Sequence, residues 1–151
     1  MKALRVILAG LAAFLLTAGG YDDYAGSCEA VRPEIERVLT EEGVSTRYYW
    51  LAVAESHCDA GAVSKKGAVG IWQMLPATAK AYGCDVPRDI VCQTRAAARY
   101  LAHLEKKCGA EHVIHCWHDG GSNFLRRGYP TRGARGLGWQ FRKLMREYGH
   151  E

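Results

Sequence analysis

A single glutamate, Glu55, closes the run Tyr48-Tyr49-Trp50-Leu51-Ala52-Val53-Ala54, and the glycine-rich stretch Gly67-Ala68-Val69-Gly70-Ile71-Trp72 leads from it to one glutamine, Gln73. The run is apolar or aromatic on every side, the pattern of a helix buried all round. A carboxyl emerging from such a dry element prefers its neutral form, because burial penalises the charge. If the helix ends near His57, the negative end of its dipole acts in the same sense. A Glu that keeps its proton near neutral pH can serve as a general acid. The competing reading is a structural Glu at a helix end, ion-paired to Arg47 or Lys65.

The wider spacing decides between the two. Ser64 stands nine residues after Glu55, and Gln73 stands eighteen after it. Together, Glu55-Ser56, Ala62-Val63-Ser64, Gly67-Ala68-Val69-Gly70, Gln73 and Pro76-Ala77-Thr78-Ala79 resemble the signature of the lytic transglycosylases that cleave bacterial peptidoglycan, a family with a lysozyme-like catalytic domain. The resemblance runs from about Tyr49 to Leu104 and includes Ala96-Ala97-Ala98-Arg99-Tyr100-Leu101, similar to the family's later core helix. It implies that Glu55 is the catalytic acid/base and that Ser64 and Gln73 are polar cleft residues, with Ser56 following the Glu as in the family. It also brings Met74 and Leu75 to the substrate, although a Leu-Met order is usual there and this chain has the reverse. Near the C-terminus the family usually has Tyr-Asn-Ala-Gly, whereas this chain offers Trp117-His118-Asp119-Gly120. The hydroxyl that normally sits close to the Glu is then missing unless Tyr129 or His118 replaces it. Trp117, His118 and Tyr129 complete the expected substrate contacts.

Hydrolysis by a carboxylate pair needs a second Asp or Glu across the scissile bond. Asp59 and Asp119 are the candidates; Asp59 also suits a cap on the loop after the helix. Gln73 can bond sugar but cannot activate water. The resemblance implies a non-hydrolytic route that needs Glu55 alone. It protonates the glycosidic oxygen, the sugar's N-acetyl group steadies the developing cation, and Glu55 takes the proton of the 6-hydroxyl, leaving a 1,6-anhydro-muramyl end. No cofactor or metal is expected, and the partner is the glycan strand of peptidoglycan. Two alternatives stay open: a lysozyme-type muramidase, and a wall-binding or assembly protein weakened in activity by the altered Trp117 segment.

These residues need elements to hold them. A chain of 151 residues with 48% hydrophobic content can bury one modest core. Lys2 and Arg5, the apolar run from Val6 to Leu16 and Ala18-Gly19-Gly20 read as a cleavable signal over residues 1–20, too short an apolar run for a membrane span. An uncleaved anchor is the alternative. Residues 21–151 are then one exported domain, periplasmic or secreted, expected as a monomer. Its small size suggests an accessory for a secretion, conjugation or pilus machine. Six cysteines fit an oxidising destination, and of the fifteen possible pairings the sequential one is expected: Cys28–Cys58, Cys84–Cys92 and Cys108–Cys116. Zinc at His112, His115, Cys116 and His118 is the rival reading, disfavoured because thiols in that compartment pair first.

The expected fold is mainly α and lysozyme-like, an α+β domain with a minimal β-hairpin. Ser27 is expected to cap a helix through Glu42, and Ser45 to open the helix from Tyr48 to Ser56. Pro76 suits the first turn of a helix to Tyr82. Gln93 or Thr94 begins the longest pattern, stopped by Gly109, and further helices are expected over Glu111–Trp117 and Trp139–Tyr148. Val63–Ile71 is the one place for a small strand or hairpin. The last thirty residues carry seven basic and two acidic groups. Arg126, Arg127, Arg132 and Arg135 there are expected in a solvated loop or against acidic wall polymer or a partner. Nucleic acid is excluded by the export signal and the cysteines.

Overall fold

The computed structural model describes residues 25–86 and 88–149, so the signal expected over residues 1–20 lies outside the described residues. Among these, seven helices follow one another: α1 (Ala25–Glu41), α2 (Tyr49–Ser56), α3 (Pro76–Ala81), α4 (Ile90–Cys108), α5 (Val113–Asp119), α6 (Gly121–Arg127) and α7 (Arg132–Tyr148), with a 3-10 turn over Thr46–Tyr48 before α2. None of them is long and apolar enough to cross a membrane. The mainly helical, disulfide-tied domain agrees with the expected class. The six cysteines are joined as Cys28–Cys58, Cys84–Cys92 and Cys108–Cys116, so the Cys116 sulfur of the rival zinc cluster is already bonded.

Helix α2 forms the centre. Tyr48 and every residue from Tyr49 to Val53 are buried, which is why its sequence shows no polar face. Helices α1 and α7 pack against it, α4 lies along α1, and α5 packs on α4, α6 and α7. Ser45 opens the 3-10 turn, its hydroxyl accepting from the Arg47 amide at 3.4 Å. Pro76 takes the first turn of α3, where a missing N–H is harmless.

Several boundaries differ from the sequence reading. Ser27 lies inside α1 and not at its cap, because the described helix already runs from Ala25. Helix α4 starts at Ile90, ahead of Gln93 and Thr94, because Asp89 caps it by accepting from the Cys92 amide at 2.7 Å. Helix α7 starts at Arg132, seven residues before the expected Trp139. Thr131 caps it by accepting from the Ala134 amide at 3.2 Å. Helix α6 was not expected at all, so Arg126 and Arg127 stand on a helix, as do Arg132 and Arg135 on α7, and none of the four lies in a loop. Of the glycines that hid α7 from a propensity reading, Gly133 and Gly138 serve its packing against α5, whereas Gly136 faces open space. A Cβ on Gly133 would stand 2.6 Å from the His118 ring, so only Gly lets α5 and α7 approach so closely.

The expected hairpin is reduced to two isolated antiparallel pairs, Val63 with Val69 and Val69 with Met74. Gly67, Gly70 and Gln73 all have positive φ, so the extended conformation is broken every few residues and no ladder can lengthen.

Candidate active site

Glu55 occupies the last turn of α2, which ends at His57 in the left-handed conformation. Its carboxyl is partly open to solvent, and its Oε1 accepts one hydrogen bond, from the Trp117 Nε1–H at 2.8 Å. Burial pushes its pKa up to about 7, against the opposing pull of the Trp117 bond. Neither ion pair of the competing reading forms: Arg47 pairs with Glu105 at 3.2 Å, and among the described residues no cation pairs with Glu55. Trp117 thus fills the place of the missing hydroxyl with an indole N–H donor. Tyr129, 61% exposed beneath the Arg127 guanidinium, and His118, bonded through Nδ1 to Asp119 at 2.9 Å, do not occupy it.

The glycine-rich turn is fastened to the helices on both sides. Ser56 Oγ donates to the Ile71 carbonyl at 2.8 Å, fixing the turn to the end of α2. Ser64 Oγ accepts from the Ala68 amide at 3.0 Å and closes the bend at Gly67. Gln73 holds positive φ, and its Nε2 donates to the carbonyls of Gly70 at 2.8 Å and Ala62 at 3.3 Å, which leaves its amide oxygen for a ligand. Met74 is buried, so of the Met74-Leu75 pair only Leu75, 47% exposed, is open to solvent.

Four residues to which the sequence reading gave no role at the site complete the frame. Gln93 and Thr94 are buried polar residues of α4: the Trp72 amide donates to Gln93 Oε1 at 3.0 Å and the Trp72 indole to Thr94 Oγ1 at 2.9 Å. Trp72 and Tyr100 flank Trp117, with ring centroids 6.1 and 5.3 Å away, and hold its indole towards Glu55. A polar Gln-Thr pair inside an otherwise apolar helix face was the available signal, since such groups are buried only when partnered.

The two candidate second carboxylates are engaged elsewhere. Asp59 Oδ1 accepts from the Gly61 amide at 2.7 Å. The Asp119 side chain, 2% exposed, accepts from the Thr131 amide at 2.9 Å and the Thr131 hydroxyl at 2.5 Å, and it pairs with Arg127 and His118. Against the effect of burial, these bonds hold its pKa below the usual carboxylate value. The arrangement is therefore one carboxyl with a raised pKa and one donor, near a turn that carries an amide.

Comparison with known proteins shows the family of the chain. The family described as "Transglycosylase SLT domain" matches residues 35–136, from the middle of α1 into α7. The membrane-bound lytic murein transglycosylase D of Escherichia coli strain K12 is 31% identical over 101 residues, which is 62% of this chain and 22% of that protein. The protein of the same name from Escherichia coli O6:H1 gives the same figures. The chain thus spans about a fifth of the length of the curated relatives it matches. No solved structure gives a significant match.

Proposed function

This chain belongs to the transglycosylase SLT family, and from that premise we propose that it is a peptidoglycan lytic transglycosylase in which Glu55 performs both proton transfers. The observation that carries the reading is the solitary state of Glu55: its pKa is raised to about 7, among the described residues it is bonded only to Trp117, and Asp59 and Asp119 are both committed elsewhere. In the first step the protonated Glu55 gives its proton to the oxygen linking muramyl and glucosaminyl sugars, and that bond breaks. The N-acetyl oxygen of the muramyl sugar stabilises the cationic C1. The Glu55 carboxylate, held by the indole N–H, then takes the proton of the 6-hydroxyl as its oxygen closes on C1. The product is a 1,6-anhydro end, and Glu55 finishes protonated, as it began. A pKa close to neutral suits a group that must both give and take a proton.

Ser64 and Ser56 act through the turn they tie, while Gln73, Leu75, His118 and Tyr129 are assigned to the sugar and its peptide. Three disulfides support an oxidising, periplasmic or secreted location. We read the activity as a local opening of the wall during assembly of an envelope-spanning machine. The support for that is the row of cations on α7, Arg132, Arg135, Arg142, Lys143 and Arg146, none of which is among the cleft residues. A zymogram on purified peptidoglycan tests the activity: the chain should clear the gel, and Glu55→Gln should reduce clearing by about 100-fold or more. Clearing retained by the variant contradicts the assignment.

A further inference from the structure

Between the 3-10 turn, the start of α5 and the second half of α7 lies a pocket of about 370 Å³ that includes none of the cleft residues. Its apolar walls are Tyr48, Ile114, Phe141 and Met145, and Arg142 and Arg146 stand at its rim. It adjoins the first turn of α2, whereas Glu55 is on the last, about 10 Å away along the helix. Among the described residues no carboxylate pairs with either rim guanidinium. Arg47, the third arginine of the pocket, is taken by Glu105. The Glu111 carboxylate is folded over its own turn, 2.9 Å from where a Cβ on Gly109 would stand. Beside Arg142, His115 has a buried Nδ1 without a hydrogen-bond partner.

The rim continues into a longer feature. Arg132, Arg135, Trp139, Arg142, Lys143 and Arg146 recur at three- and four-residue steps and so share one face of α7. That stripe is about 21 Å long at 1.5 Å per residue. Its one acidic neighbour on the helix is Glu147, 3.9 Å from Lys143, and Trp139 is 51% exposed. The opposite face of α7, through Ala134, Leu137 and Phe141, is the one spent on the core. A row of cations with an apolar pocket at one end asks for a ligand with carboxylates in line and one apolar group among them. The sugar backbone of a glycan strand offers neither, its peptide stems carry carboxylates without a large apolar side chain among them, and a flat anionic bilayer offers charge without a side chain to fill the pocket.

We propose that this edge docks an acidic segment of a partner protein, one apolar side chain entering the pocket, flanking carboxylates pairing with Arg142 and Arg146, and further acidic residues following the stripe towards Arg135 and Arg132. The surface is independent of which bond Glu55 cleaves. The test is to pan a random dodecapeptide display library on the full chain and measure binding of the enriched peptides made synthetically. Enriched peptides should join Asp or Glu to an aromatic or long aliphatic residue. Their affinity should fall by about tenfold or more in the Arg142→Glu/Arg146→Glu variant and return when the peptide acids are changed to Lys. Peptidoglycan cleavage by that variant should be unchanged, which separates failure of this docking surface from failure of the active site. Absence of enrichment, peptides without acidic residues, or affinity indifferent to the two arginines would overturn the proposal. So would phosphatidylglycerol vesicles that bind through the same arginines when acidic peptides do not.

Discussion

At the scale of the residue, the account turns on one proton. Glu55 binds it more tightly in the folded protein than in the unfolded chain, with a pKa of about 7 against the ordinary 4.5. Its contribution to stability is therefore complete below about pH 4.5, where both states hold the proton, and is lost as pH rises towards 7 and the unfolded state alone releases it. The loss is about 3 kcal/mol at most. Glu55→Gln cannot ionise, so thermal unfolding should show the variant matching the parent at pH 4 and exceeding it at pH 8. Parallel profiles would contradict the assigned burial. Trp117→Phe removes the one bond that favours the carboxylate, so the limb of the activity–pH profile set by Glu55 should move to higher pH while turnover falls, by about tenfold on the scale of a lost hydrogen bond to a charged group. The burial of Glu55 was legible because seven apolar neighbours announced a dry helix. Its donor was not: Trp117 is 62 residues away, and a family expectation of a hydroxyl directed attention to Tyr129 and His118.

At the scale of elements, what could be read locally was read, and what depended on tertiary contact was not. The centre of α2, the proline start of α3 and the Gly109 stop of α4 each follow from neighbouring residues. Helix α6 is enclosed by Gly120, Gly121 and Gly128, and α7 opens through Gly133, Gly136 and Gly138, a composition of low helix propensity. Contact with α5 outweighs that propensity. Gly133→Ala should accordingly destabilise the protein by about 1–3 kcal/mol, since its methyl would meet the His118 ring. Adding His118→Ala should recover part of the loss in a double-mutant cycle. Additive effects in urea denaturation would show that the close approach is not what the glycine provides. On α4, Gln93→Ala should cost about 1–3 kcal/mol, because the Trp72 amide loses its buried acceptor.

Across the whole molecule, the even number of cysteines already pointed to a domain held by cross-links, and the sequential pairing is the one the structure contains. Cys28–Cys58 encloses a sequence separation of 30 and fastens α1 beside the end of α2 that presents Glu55. Replacing both with Ser should lower stability by about 3–4 kcal/mol in a denaturant titration, the loop-entropy value for that length. An unchanged midpoint would mean that packing alone holds α1. The cleft and the pocket between Arg142 and Arg146 lie at different ends of α2, so cutting and docking are separable properties of one small fold. The most direct measurement of the central claim is mass spectrometry of the fragments released from purified peptidoglycan. A lone Glu55 passing one proton out and back predicts 1,6-anhydro-muramyl ends, with none in Glu55→Gln; reducing muramyl ends that carry the oxygen of labelled water would contradict it.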